Sequence, residues 1–480
     1  MTPAARIAAA IELLVQIEAA PGRPADAVAS DFFRARRFIG AGDRRAVSER
    51  AWGVLRARRR LGWWLSRDSD GRGAQGQTPV DGTPGDQAPG DQAPETHAAG
   101  RATPRTLVAA ALLFDGWTPS GVAQAYSGGK FAAAPLSATE HAVIARLAGH
   151  TLDHPVMPDA VRLEVPDWVL PRLVARFGTS LGAELAALLD PAPLDMRANL
   201  LKASREAAQA ALAAEGFVAT PTPLSPWGLR LPGRRPITAG PAFQSGLVEI
   251  QDEGSQLVAL LTDARPGMRV ADLCAGAGGK ALALAATMQN RGHIAACDVS
   301  APRLDAAVRR FRRAGAHNIE RHLLGPGDRW LKRHALGFDR VLVDAPCTGT
   351  GTWRRNPDAR SRLTETDLAE LVARQAGLLD DAASLVRKGG RLVYATCSLF
   401  PEENESQVQA FLDRHAAFAL VPLGRAWPSV ASSDSGVPNL GSPTLAPPNL
   451  GPPCPGEMLV LTPRQHGTDG FFAAVLERTA

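Results

Sequence analysis

From about residue 245 onward the chain alternates short apolar runs with amphipathic stretches. MRVADLC, HIAACD, FDRVLVDAP and GGRLVYATC read as strands, and RLDAAVRRFRR and DLAELVARQAGLLDDAASLV between them read as helices. A strand that leaves through a helix and returns as another strand crosses over the sheet, so the pattern predicts a mostly parallel, doubly wound α/β sheet of Rossmann-like type. Such a sheet binds ligands outside the carboxyl ends of its strands. Those ends are where the reactive residues of this sequence collect.

The remaining text is organised differently. At 480 residues, 45% of them hydrophobic and 21% charged, the chain is globular and too long for one core of roughly 150 residues. Ile7, Ile11, Leu14 and Val15 recur at helical spacing, and the pattern resumes through Val47, Trp52, Leu55, Leu61, Trp63 and Trp64. Residues 1–150 therefore read as one helical domain, interrupted at 68–104 by a low-complexity insert in which GDQAP is repeated in tandem. Residues 160–240 mix a helical stretch, Trp168 to Leu189, with turn-rich text such as PTPLSPWG and read as a small α+β connector. Residues 241–480 carry the sheet. A second spacer, 428–456, repeats PNLG, after which EMLVLTP and FFAAVLER are expected to pair as closing strands.

Charge and cysteine usage narrow the classes. Lys and Arg total 53 against 48 Asp and Glu, yet residues 1–67 alone hold 13 Arg, no Lys and six acids. This +7 segment suits either a phosphate-facing module or an Arg-rich solvated helix surface. Cys274, Cys297, Cys347, Cys397 and Cys454 form no C-x-x-C pair, which argues against a disulfide framework or zinc site and for a reducing cytoplasm. No apolar run approaches the roughly 20 residues that span a bilayer. His150 and His154 are the one H-x-x-x-H pair, and Pro155 disfavours the helix that would aim both at a metal, so no metal is expected.

Strand MRVADLC runs into the loop AGAGGK and a helix, placing Asp272, Gly276, Gly278 and Gly279 at one strand end; Asp298 ends the next strand, where a carboxylate can accept ribose hydroxyls. Glycine spacing alone fits a nicotinamide dinucleotide and S-adenosylmethionine equally. Asp344, Pro346 and Cys347 follow a third strand, and Cys397 and Ser398 a fourth. A lone thiol at a strand end is more often a small buried hydrophobe, the reading given to Cys274 and Cys297, while Cys454 in the spacer is expected to be exposed. Two thiols and a carboxylate at one crevice suit a different chemistry. Carbon 5 of cytosine becomes nucleophilic only after a thiolate adds at carbon 6, and an adjacent carboxyl such as Asp344 can hold N3 and the amino group. Trp353, Arg354 and Arg355 follow the Pro-Cys turn and are expected to meet a flipped-out base and its phosphates.

In this order, DLCAGAGGK, ACD, DAPCTGTG and YATCSLFPEENE resemble the RsmB/Nop (Sun/Fmu) family of RNA cytosine-5 methyltransferases, as does GLVEIQDEGSQL upstream. The likeness covers about residues 160–480, and residues 1–150 resemble the family's NusB-like RNA-binding domain only loosely. What the resemblance implies is S-adenosylmethionine as cofactor, Cys397 as nucleophile and Cys347 as the thiol that assists product release. It also implies cofactor contacts from Cys274, Ala275, Gly276, Ala277, Gly278, Gly279 and Lys280, from Asp298 at the ribose and from Asp344 near the methyl group and base, with Arg303 and Asp328 as further candidates. The loop departs from the family's Ala-Ala-Pro-Gly-Gly-Lys-Thr at Ala277 and Ala281, and Asp328 sits at a shifted distance from the family's next acidic residue. The implied enzyme is a cytoplasmic monomer acting on structured RNA, ribosomal before transfer RNA. An NAD-dependent oxidoreductase and a non-catalytic RNA-binding assembly factor are the alternatives, and neither has a use for both thiols.

Overall fold

The computed structural model describes residues 1–67, 102–233, 235–325, 328–428 and 451–480. The two low-complexity stretches expected at 68–104 and 428–456 lie, for residues 68–101 and 429–450, outside the described residues. The chain divides into two compact units: Met1–Leu170 with Asn356–Arg362, and Pro171–Arg355 with Leu363–Ala480.

The first unit is helical. Its opening helix, Pro3–Glu18, starts at Pro3, whose fixed φ suits the first turn and whose missing N–H needs no partner there, and the Thr2 hydroxyl accepts the Ala5 N–H at 3.2 Å. Ile7 and Leu14 are buried and Ile11 partly so, but Val15 is 50% exposed. The buried stripe runs instead through Ala10, Leu13 and Ile17, because a 3.6-residue period carries position 15 away from the face that holds 10, 14 and 17. Val47, Trp52, Leu55, Leu61 and Trp64 join this core. Glu164, 3% exposed, accepts the backbone N–H groups of Arg59 and Arg60 at 2.9 and 3.0 Å and pairs with the Arg60 guanidinium. It satisfies the helix Arg58–Leu65, which has no side-chain cap of its own.

The second unit holds two sheets. Strands β1 (Leu194–Ala198), β2 (Thr220–Pro221), β3 (Gly228–Leu231) and β4 (Val248–Ile250) form an antiparallel sheet in the order β2-β3-β1-β4. Met196, Leu212, Leu229 and Val248 fill its core beneath the helix Arg205–Ala214. The large sheet contains β5 (Arg269–Asp272), β6 (His293–Asp298), β7 (Ile319–Leu323), β8 (Phe338–Asp344), β9 (Val386–Thr396), β10 (Phe418–Val421), β11 (Leu459–Leu461) and β12 (Phe471–Arg478). Its order is β10-β12-β9-β8-β5-β6-β7, with β11 also paired to β12. Strands β5 to β9 run parallel, and β12 joins β9 antiparallel, as do β10 and β11 to β12. This is the Rossmann-like α/β class. Chain order reverses at β5, which lies between β6 and β8, so the crossover helices diverge there and leave a crevice at the carboxyl ends of β5 and β8. Asp272 and Asp344 are the last residues of those two strands.

Candidate active site

After Asp272 the chain turns into the helix Gly279–Thr287 through a loop with two left-handed residues, Gly276 (φ +54°) and Gly278 (φ +77°). Their requirements differ. A Cβ on Gly278 would meet the Phe311 ring at 2.3 Å, so this glycine serves both the turn and the packing of the following helix. A Cβ on Gly276 would meet nothing within 4 Å, so its backbone faces open space available to a ligand. The loop is pinned on several sides. The Asp298 carboxylate accepts the N–H of Gly276 and of Ser300, each at 2.8 Å, and the Ala275 N–H bonds the Cys297 carbonyl at 2.9 Å. From the small sheet, buried Arg197 donates to Gly279 O at 3.4 Å and to Gln251, while Arg310, paired with Glu249, donates to Ala277 O at 2.7 Å.

A cavity of about 390 Å³ opens at this crevice, lined among others by Asp252, Ser255, Asp272, Cys274, Ala275, Gly279, Lys280, Asp344, Arg355 and Asp469. Lys280, 8% exposed, pairs with Asp344 at 2.6 Å. Asp272, 1% exposed, makes no well-formed hydrogen bond among the described residues. Burial, then the Asp344 carboxylate, push its pKa up to about 7 against the pull of Lys280 and the Cys274 N–H. A buried carboxylate with unused oxygens in a cavity is a site prepared for a cationic or hydrogen-bond-donating ligand. Together with the open backbone at Gly276 and the anchored Asp298, it fits S-adenosylmethionine, which carries an ammonium, a sulfonium and ribose hydroxyls.

Past β8 and β9 the two thiols face each other, Cys347 Sγ to Cys397 Sγ at 3.4 Å, both half-buried. Their loops are stitched together: the Gly351 N–H bonds Cys397 O at 2.9 Å, and Thr350 Oγ1 accepts the Leu399 N–H at 2.7 Å. The Cys397 hydrogen bond, then burial, hold the Cys347 thiol well above the usual range.

Other expected site residues lie elsewhere. Arg303 is exposed on the helix Ala301–Ala314 and does not line the cavity. Asp328 accepts the Trp330 N–H at 2.9 Å and bonds His322, which lowers its pKa, so it is occupied with the turn after β7. The Trp353-Arg354-Arg355 reading is corrected. Trp353 is 0% exposed, and Arg354, 5% exposed, pairs with Asp469 and Asp252. An aromatic and a guanidinium so enclosed cannot meet a base and its phosphates. Arg355 does line the cavity, but it is paired with Asp469 and with Asp252, the latter at 2.8 Å. Burial, then Asp252, raise Asp469 to about 6. Cys454 is corrected as well: at 9% exposure it packs into the core, its sulfur accepting the Val460 N–H at 3.4 Å.

The basic N-terminal segment is quieter than its count. Arg6, Arg23, Arg34, Arg36, Arg50, Arg58, Arg59 and Arg60 all pair with carboxylates of the helical unit. Intramolecular ion pairs, most of them solvated, therefore account for most of the arginines, while Arg37, next to the 79% exposed Phe38, and Arg45, on the helix Ala41–Arg56, are exposed. Among the described residues no group of three or more His, Cys, Asp or Glu is placed to hold a metal, and no helix is long and apolar enough to cross a membrane.

Comparison with known proteins bears on this site. Residues 259–477 match the family described as 16S rRNA methyltransferase RsmB/F, and residues 165–238 match the ferredoxin-like domain of RsmF/B-like methyltransferases. The chain is 35% identical over 318 residues to the probable ribosomal RNA small subunit methyltransferase B of Synechocystis sp., a match covering 65% of this chain and 66% of that protein. With the protein of the same description from Bacillus subtilis it shares 30% identity over 328 residues, 68% of this chain and 69% of the other. The chain thus spans about two thirds of the length of the curated relatives it matches. The crystal structure of PH0851 matches with a TM-score of 0.71 and 23% identity, covering 100% of this chain and 99% of that one, a likeness of fold.

Proposed function

Because the chain belongs to the RsmB/F family of 16S rRNA methyltransferases, we propose that it methylates carbon 5 of a cytosine in small-subunit ribosomal RNA through a covalent cysteine adduct. One observation carries the cytosine-5 chemistry: Cys347 and Cys397 face each other at 3.4 Å past the strand ends that also carry Asp344. A glycine loop and a ribose-binding carboxylate serve many nucleosides, and a nicotinamide enzyme gives two facing thiols no task.

S-adenosylmethionine, the cofactor of the family, supplies an electrophilic methyl group on a sulfonium. Asp272 and Asp298, with the backbone of Cys274 to Gly279, are the groups that would hold it. Cys397 adds as a thiolate to carbon 6 of the cytosine, moving electron density to carbon 5 so that this carbon can take up the methyl group. Asp344, kept in place by Lys280, is the group to hold N3 and the amino group. A solvent base takes the carbon-5 proton, which re-forms the ring double bond and expels the Cys397 sulfur as a thiolate. Cys347, 3.4 Å from that sulfur, is placed to donate its S–H to the departing thiolate and so assist the release. The helical unit, with Arg37, Phe38 and Arg45 on its surface, serves as the RNA-binding part of the chain.

The test combines unmodified small-subunit ribosomal RNA with methyl-labelled S-adenosylmethionine, followed by digestion to nucleosides. Label is expected in 5-methylcytidine with wild-type protein and absent with Cys397→Ala. Cys347→Ala is expected to accumulate a protein–RNA adduct, seen as a slower band on a denaturing gel. An adduct in Cys397→Ala instead reverses the two roles. Label on transfer RNA alone moves the substrate, and cofactor binding without label on naked RNA or assembled subunits favours a non-catalytic assembly factor.

A further inference from the structure

Two loops that enter from different strands, 50 residues apart in the chain, present their sulfur atoms at 3.4 Å, and something must hold them there. Glu403, in the turn Pro401–Glu403 after Cys397, is 0% exposed. Its Oε1 accepts the Thr348 N–H and a Gln375 Nε2–H, each at 2.9 Å; its Oε2 accepts the Thr348 hydroxyl at 2.5 Å and the Ser398 hydroxyl. Thr348 follows Cys347 in the chain, and Ser398 follows Cys397. One buried carboxylate therefore takes hydrogen bonds from the residue after each thiol.

A buried carboxylate served by neutral donors is a costly way to fill space, and an apolar side chain would fill it without desolvating a charge. What the carboxylate adds is direction, because four donors converging on two oxygens fix both loops against the same atoms. The carboxylate is itself held: Glu403 O accepts the Tyr394 hydroxyl at 2.6 Å, and Asn404, next in the chain, bonds Ser398 O at 2.9 Å and the Thr396 hydroxyl at 2.5 Å. We propose that Glu403 is the positioning residue that clamps the Cys347 and Cys397 loops into a facing dithiol. This rests on the reading of those thiols as the reacting pair. Its consequence for the reaction is that loosening the clamp separates attack from release: Cys397 remains beside the crevice, but Cys347 no longer meets its sulfur.

The clamp can be tested without RNA or cofactor. Phenylarsine oxide condenses with two thiols a few ångströms apart, forming two As–S bonds and releasing its oxygen with both thiol protons as water, whereas single thiols hold it weakly. Full-length wild-type protein is expected to retain one arsenical against excess monothiol and to surrender it to a dithiol; Cys347→Ser is expected to lose it. Glu403→Gln keeps the shape and the Oε1 acceptor, and its affinity should stay within about threefold of wild type, while Glu403→Ala should weaken capture by at least about tenfold. S-adenosylmethionine binding should be unchanged in both, since the Glu403 carboxylate bonds Thr348, Gln375 and Ser398 rather than the glycine loop. In the methylation assay Glu403→Ala should lower kcat with KM for RNA little altered, and Glu403→Gln should restore most of it. Wild-type capture by Glu403→Ala overturns the proposal. Where that variant fails to fold, Thr348→Val and Ser398→Ala each remove one loop's hydroxyl from the carboxylate and should each weaken capture; unchanged capture in both also overturns it. Absence of 5-methylcytidine from wild-type protein would sink the assigned reaction, while the arsenical result still decides the clamp.

Discussion

At Asp272 a stability cost stands against the cofactor-binding role proposed for it. Its folded pKa, about 7, lies above the ordinary value of 3.8, so the folded protein binds that proton more tightly than the unfolded chain. Stability contributed by this residue therefore falls as pH rises from about 4 to about 7, and the full penalty is present above 7. Asp272→Asn removes the charge, and the melting temperature of the cofactor-free protein should rise, by more at pH 8 than at pH 5. On the proposed reading, in which the Asp272 carboxylate would face the cofactor's cationic groups, the same substitution should weaken S-adenosylmethionine binding about tenfold or more by calorimetry. A stability change that does not vary with pH would contradict the assigned burden. Asp272 was legible as a strand-end residue of the ligand loop, but its burial beside Asp344 and Asp298 was not, since that depends on which strands pair with its own. Glu403 was in plain view within PEENE and carried no signal, because its donors Thr348 and Gln375 are remote in the chain.

At the level of elements, helix Ala25–Ala35 shows how far its stabilisation can come from. Pro24 at its start offers no side-chain cap, and the Ala25 N–H is bonded by Asp358 Oδ2 at 3.1 Å, a partner 333 residues downstream. Asp358, 6% exposed, also pairs with Arg362, so the carboxylate is neutralised where it caps. Asp358→Ala should cost the protein about 1 kcal/mol in denaturant unfolding, with Asp358→Asn, which keeps an acceptor, recovering part of it. Equal losses in both would place the contribution in the Arg362 pair. Strands β5, β6, β8, β9, β11 and β12 were readable because each is a contiguous apolar run with its own period, whereas β7 and β10, short and no more than half buried, were not. Trp353 and Arg354 were misread for the complementary reason: a Trp-Arg-Arg run looks solvated until Asp252 and Asp469, over a hundred residues away in each direction, arrive to neutralise it.

Across the whole molecule, the helical unit is completed by Asn356–Arg362, seven residues that the chain supplies from within the catalytic unit's own sequence. A fragment beginning at Pro171 would carry this segment without the 170 residues it packs with. Trypsin should then cut after Arg360, which is 5% exposed in the full chain, and should spare that bond in the intact protein. Equal protection in both would mean the segment is ordered by the catalytic unit alone.

The sequence by itself determined the parallel sheet, the strand ends at which the glycine loop, Asp298, Asp344 and the two thiols stand, and the family to which those motifs belong. These are properties of local runs, whose period and turn residues act over a few neighbours. Only the tertiary structure decided that β5 lies between β6 and β8, that the thiols face each other at 3.4 Å, that Arg197 and Arg310 brace the glycine loop, and that one buried carboxylate joins the thiol loops. Hydrogen bonds and ion pairs of that kind join residues distant in the chain, and their partners are chosen by which strands pair and which side chains burial brings together.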